Sequence, residues 1–198
     1  MRSFKLYILS ALAGIAALGL AMSPAQAVPT LIIDTGQLMG ADNVDISGSL
    51  YDVRFEEGSC DTLFSGCISS SFTFPTQISA TAAAQALLDQ VFIDNGSGLF
   101  DSVPTNTFGC VSGTCQVMIP FALIPGLITT RTAINNNTIS SDSIGLINTG
   151  RTTNTGSQGD RVYAVFTEAD DIPEPSAMAL FGLGLIGIAI TRRRQLRS

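Results

Sequence analysis

The stretch that decides the fold class is ISATAAAQALLDQVF, Ile78 to Phe92. It places Ala84, Leu87, Leu88, Val91 and Phe92 at i, i+3, i+4, i+7 and i+8, one apolar stripe along a helix. Plain core packing is the expected role of that stripe. Ser79 or Thr81 is positioned to cap its start. Asn95-Gly96 follows its end, a pair able to turn the chain through positive φ. Around this one helix the apolar pattern has a period of two. In LYDVRF (Leu50 to Phe55), Tyr51, Val53 and Phe55 alternate with Asp52 and Arg54, which predicts a strand with one buried and one wet face. SFTF (Ser71 to Phe74) predicts a second, short strand. QVMIPFALI (Gln116 to Ile124) is a continuous apolar run that Pro120 should weaken or bulge. In RVYAVFT (Arg161 to Thr167), Val162, Ala164 and Phe166 share one face while Tyr163 and Val165 share the other, so both faces should be covered. The expected fold class is α+β: a small, mainly antiparallel β domain with one packed helix.

Between Thr129 and Asp160 the composition changes, and this region, with NNNTISSDSIGLINTGRTTNTGSQGD, is rich in Asn, Thr, Ser and Gly. It is expected at the surface, as an irregular loop or as short strands of a β-edge. The tripeptides at Asn95 and Asn136 match the glycosylation sequon, a pattern short enough to arise often by chance.

Charge excludes one class of function. From Val28 to Asp171 the chain carries four arginines, no lysine and fifteen carboxylates, a net of −11. Nucleic-acid binding needs clustered Lys and Arg to neutralise phosphates, so that role is rejected.

The residues for most catalysis are missing. The chain has no histidine, which removes Ser-His-Asp and Cys-His catalysis and His-ligated metals. Without lysine in the central region there is no Ser-Lys dyad or Schiff base. No phosphate loop is present. Tryptophan is absent, which weakens a carbohydrate-platform reading. Carboxylates remain. Glu56, Glu57 and Asp61 are candidates for a glycoside hydrolase pair, although adjacent strand residues point to opposite faces. DNGSGLFD (Asp94 to Asp101) sets carboxylates around glycines, as calcium loops do, but lacks the EF-hand order. No catalytic residue, metal ligand or cofactor is assigned.

The two ends are processing segments. Arg2 and Lys5 precede the apolar run LYILSALAGIAALGLAM. Ala25-Gln26-Ala27 then supplies small residues for signal peptidase, with cleavage expected between Ala27 and Val28. An uncleaved anchor is the alternative. There is no twin arginine, so the Sec route is expected. Export makes the four cysteines candidates for disulfides. Three connectivities exist for Cys60, Cys67, Cys110 and Cys115. Local pairing, Cys60 with Cys67 and Cys110 with Cys115, is preferred, because CDTLFSGC and CVSGTC hold the Gly and Ser that close small loops. A four-thiolate zinc site is the rival, disfavoured by its spacing.

At the other end, Pro173-Glu174-Pro175 precedes an uncharged segment, Ser176 to Thr191, and then Arg192, Arg193 and Arg194. As a helix the segment is about 24 Å long at 1.5 Å per residue, short for a membrane core of about 30 Å. The arginines extend it by snorkelling and fix the C-terminus inside. The glycines at 182, 184 and 187 suit close helix packing in a bilayer. The prolines keep Glu174 extended and out of the helix.

These three ordered features resemble the PEP-CTERM sorting signal of Gram-negative bacteria. The resemblance implies that Pro173, Glu174 and Pro175 form the sorting motif, that 176–191 is the membrane helix, and that Arg192 to Arg194 are its basic stop. It implies processing by an inner-membrane exosortase and transport to the cell surface, often beside exopolysaccharide. GSLYDVRFEEGSCDTLFSGC and AAAQALLDQVFID are similar to segments of uncharacterised chains with that tail, and bring no activity with them. The expected organisation is therefore a signal peptide (1–27), an exported domain (28–171) and a sorting tail (172–198). The expected role is structural or adhesive and non-enzymatic. The expected partners are the Sec machinery and signal peptidase, exosortase, the inner membrane and exopolysaccharide. The alternatives are a carboxylate-dependent hydrolase and a calcium-dependent binding module.

Overall fold

The computed structural model describes residues 28–169, apart from 138 and 140. The signal segment, with Ala25 and Ala27, and the tail from 170 onward, with the sorting motif and the 176–191 segment, lie outside the described residues. The chain divides into two units, Met1–Thr167 and Glu168–Ser198, and the fold below belongs to the first.

It begins with a meander of three strands, β1 (Thr30–Asp34), β2 (Gln37–Ile46) and β3 (Ser49–Glu56). Both connections are two-residue turns, Thr35-Gly36 and Ser47-Gly48, with positive φ at each position. That is the type I′ geometry, whose twist matches the flanking strands. The Asp45 carboxylate accepts the Gly48 N–H at 2.7 Å and fixes the second turn. A one-turn helix, α1 (Cys60–Leu63), and the main helix, α2 (Gln77–Gln90), follow. A small hairpin of β4 (Asp94–Asn95) and β5 (Gly98–Leu99) leads on to β6 (Thr114–Ile124), β7 (Leu127–Asn136), β8 (Ser143–Gly150) and β9 (Arg161–Glu168).

The main sheet has seven strands in the order β1-β2-β3-β9-β6-β7-β8. The last strand thus enters the middle and joins the two meanders. It runs parallel to β6, whereas the pairs within each meander are antiparallel. Pro120 sits at a shift of register between β6 and β7, the bulge expected from its missing N–H.

The helix starts one turn earlier than its sequence signals suggested. Thr76 is the N-cap: its hydroxyl accepts the Ser79 N–H at 3.1 Å, and the Ser79 hydroxyl accepts the Thr76 N–H at 3.3 Å. Ser79 is therefore the reciprocal partner in a capping box rather than the cap. The helix ends at Gln90, before Asn95-Gly96, which belongs to the β4–β5 hairpin. The expected stripe faces the sheet. Ala84, Leu87, Val91 and Phe92 are buried with Ala80 and Ala83, and Phe92 stacks on Phe55 of β3 at 5.8 Å. The alanines let the helix lie close on β2, β6 and β7.

Both faces of the sheet are covered, as the pattern of β9 required. Val162, Ala164 and Phe166 join the helix-side core. Tyr163 points the other way, into a smaller cluster with Cys60, Phe64, Cys67, Phe72, Met118 and Ile128. That second layer is built by the segment between β3 and α2, folded back across the sheet.

Two expectations fail here. SFTF is not a strand: a 3-10 turn spans Ser69–Ser71, and the chain then bends at Thr73 and Phe74 without joining a ladder. Its alternation is real but serves anchoring. Phe72 enters the smaller cluster, Phe74 enters the larger one, and the Thr73 hydroxyl donates to the Phe166 carbonyl at 3.0 Å. The region from Thr129 is also not all surface. Thr130, Thr132 and Asn135 of β7 are fully buried. Their polarity is met inside in part: the Thr130 hydroxyl donates to the Ile147 carbonyl at 3.2 Å, and the Asn135 amide nitrogen donates to the Phe100 carbonyl at 2.7 Å, while among the described residues the Asn135 Oδ1 has no partner. Threonine suits strands because it is β-branched, so low hydropathy did not imply exposure. Both forms expected for the polar stretch are built: β8 is a β-edge, and 151–160 is irregular, with turns and a 3-10 helix at Thr155–Ser157.

Candidate functional site

The cysteines pair locally, Cys60 with Cys67 and Cys110 with Cys115, with Cα separations of 5.1 and 5.4 Å. No free cysteine remains, so neither a thiol nucleophile nor a thiolate zinc site is available from them. The two bridges serve opposite faces of the sheet. Cys110 and Cys115 lie in the helix-side core, and Cys60 and Cys67 in the smaller cluster.

The carboxylates proposed for hydrolysis, Glu56, Glu57 and Asp61, sit in different settings. Asp61 lies in the first turn of α1. Its Oδ1 accepts from Arg151 Nε at 3.2 Å and from Nη2 at 3.0 Å, and its own N–H donates to the Arg151 carbonyl at 3.2 Å. Arg151 Nη2 also donates to the Gly66 carbonyl at 2.6 Å. This clamp ties the Cys60–Cys67 loop to the turn after β8. Glu56 ends β3 and is exposed. Glu57 follows it and reaches toward Gly109 and Gly156, where an added Cβ would stand 3.3 Å from Oε1 and 3.4 Å from Oε2. Gly58, next to it, is held by Thr155, whose hydroxyl accepts the Gly58 N–H at 3.0 Å.

The candidate calcium stretch is a hairpin whose exposed Asp94 carboxylate binds the backbone that follows it. Asp94 Oδ1 accepts the N–H groups of Asp101 at 3.0 Å and Ser102 at 3.2 Å. Hydrogen bonding, foremost with the Ser102 side chain, holds its carboxyl below the usual aspartate range. Asp101 behaves oppositely. Partial burial first, and then the charge and contact of Asp142, push its carboxyl up. Asp142 Oδ1 meanwhile accepts the Asn136 N–H at 2.8 Å, just beyond β7 pairing. The fold thus brings Asp142 to the hairpin, which no spacing in the sequence signals. Among the described residues no three Asp, Glu, Cys or His side chains converge as a metal site.

The Asp101–Asp142 contact gives a pH-dependent expectation. An acid with a raised folded-state pKa opposes folding when ionised and ceases to do so as the pH falls through that pKa. Asp101→Asn should raise the melting temperature at about pH 7 and lose that advantage at about pH 3, where the unmodified carboxyl is protonated. Thermal melts at the two pH values measure this, and a lower melting temperature for the variant at neutral pH would refute it.

Residues 171–194 match the PEP-CTERM protein-sorting motif. The match falls on the segment singled out by its Pro-Glu-Pro, apolar run and arginines. It fits an exported, surface-directed protein processed by exosortase. No curated protein matches the chain, and no solved structure matches it. Among the described residues no helix is long and apolar enough to cross a membrane.

Proposed function

We propose that this chain is a non-catalytic envelope or extracellular-matrix protein, displayed at the cell surface through its sorting tail. The match at 171–194 carries the proposal. Sec signal, domain and tail act in sequence: the signal peptide starts translocation, the 176–191 segment halts it with Arg192 to Arg194 inside, and Pro173 to Pro175 is presented for processing. A structural or adhesive role, beside exopolysaccharide, is supported by three features of the domain. The chain has no histidine. Its cysteines are paired. Asp61, one of the three candidate acids, is committed to Arg151.

The test is the intact mass of the protein recovered from the cell surface and the medium, measured without reduction. The expected species begins at Val28, ends within Pro173 to Pro175, and is lighter by two hydrogens for each disulfide. A surface species that still carries Arg192 to Ser198 would replace processing with permanent anchoring. Protein confined to the cytoplasm would overturn the proposal.

A further inference from the structure

The two edges of the seven-stranded sheet are built differently. Edge strands expose unpaired N–H and C=O groups, and proteins commonly guard them with bulges, prolines, charges or brevity. β1 is guarded. It has five residues, follows Pro29, ends on Asp34, and shifts register between Ile32 and Ile33. β8 is not. It has eight residues, SIGLINTG, with neither charge nor proline, and pairs with β7 through an unbroken register from Ser143 to Gly150. Among the described residues no strand lies on its outer side. Leu146, at its centre, is 48% exposed.

We propose that β8 pairs antiparallel with β8 of a second copy, so that two seven-stranded sheets become one across a two-fold axis at Leu146. Three observations select a second copy of this chain. In a two-fold antiparallel pair a residue on the axis faces itself, so Leu146 meets Leu146 and each covers the other. The domain's net charge of −11 makes copies repel over most of their surface, and the uncharged run from Ser143 to Gly150 is where backbones approach without opposing carboxylates. The run is bounded by Asp142 and Arg151, of opposite sign. The Arg151 guanidinium is already paired with Asp61, so the sign of the ends acts through Asp142: an antiparallel approach holds the two Asp142 carboxylates at opposite ends of the contact, whereas a parallel one would set Asp142 against Asp142. Because β1 is guarded, the assembly closes as a dimer and does not grow into a fibre. This contact is independent of how the tail is processed.

The test is sedimentation velocity of the full chain in detergent, comparing wild type with Leu146→Lys and with Ile124→Lys. Ile124 is a similarly exposed residue at the β6–β7 turn and serves as the control. The expected result is a dimer for the wild type and Ile124→Lys, and a monomer for Leu146→Lys. A wild-type monomer would overturn the proposal. So would a Leu146→Lys dimer, which would place the contact elsewhere, including the apolar tail. Amide exchange of residues 143–150 in the wild type gives a second readout that needs no variant. Protection there should rise with protein concentration, and protection unchanged by concentration would count equally against the dimer.

Discussion

A Gly40→Ala variant is expected to be destabilised by about 3–5 kcal/mol, the largest effect of any single methyl added to this domain. Gly40 lies within β2 at φ +148°, a conformation that side chains rarely adopt. A Cβ there would meet the Val53 carbonyl oxygen at 2.1 Å and the Arg54 Cα at 3.1 Å. Those atoms belong to the backbone of β3, which pairs with Gly40 through Arg54, so no side chain can swing aside. Relief requires the β2–β3 ladder to part beside Val53 and Phe55, both in the helix-side core. Gly36→Ala provides the comparison. Gly36 is also at positive φ, +84°, but an added Cβ there meets nothing within 4 Å. Its expected cost is the conformational one alone, about 1–2 kcal/mol. Urea unfolding of the two variants measures the difference, and equal losses would refute the role assigned to the Val53 contact.

Removing the Cys60–Cys67 bridge, by replacing both residues with alanine, should cost about 2–3 kcal/mol from loop entropy alone. The consequence is local as well as global. This bridge closes a loop of sequence separation 7 that roofs the smaller cluster, where Phe64 packs edge-on to Tyr163 at 5.6 Å. Tyr163 is fully buried, and among the described residues its hydroxyl has no hydrogen-bond partner. Burial pushes that phenol up to about 12. With the roof loosened, the phenol should titrate closer to the ordinary tyrosine value of about 10. Ultraviolet titration of the folded variant reads this directly, and a Tyr163 transition left near its wild-type position would show that the roof does not depend on the bridge. Removing Cys110–Cys115 should cost a similar amount without moving Tyr163, because that bridge lies in the helix-side core.

The strands that pack on one or two continuous faces were legible in the chain. Tyr51, Val53 and Phe55 marked the core face of β3, and Val162 to Phe166 announced a strand covered on both sides. The helix stripe was equally plain, because alanine and leucine at helical spacing have few other uses. β2 was not legible. Gly40 and the shift of register between Ala41 and Val44 interrupt its alternation, and only the neighbouring strand explains both. β7 was hidden for another reason: its buried Thr130 and Asn135 have carbonyl partners, in Ile147 and Phe100, that are remote in sequence.

The sorting motif was legible in sequence alone, since Pro173 to Pro175, the uncharged run and Arg192 to Arg194 form a local, ordered pattern, and residues 171–194 match that motif. Sequence also determined that histidine and central lysine chemistry is absent, and it favoured local cysteine pairs because short loops containing glycine close readily. Tertiary structure decided what those pieces do together. It sent the two disulfides to opposite faces, bound Asp61 to Arg151, set Asp142 against Asp101 and left β8 as the unguarded edge. Each of these depends on the order of strands in the sheet. That order is fixed by which faces bury one another, a property of the assembled core that no local spacing encodes.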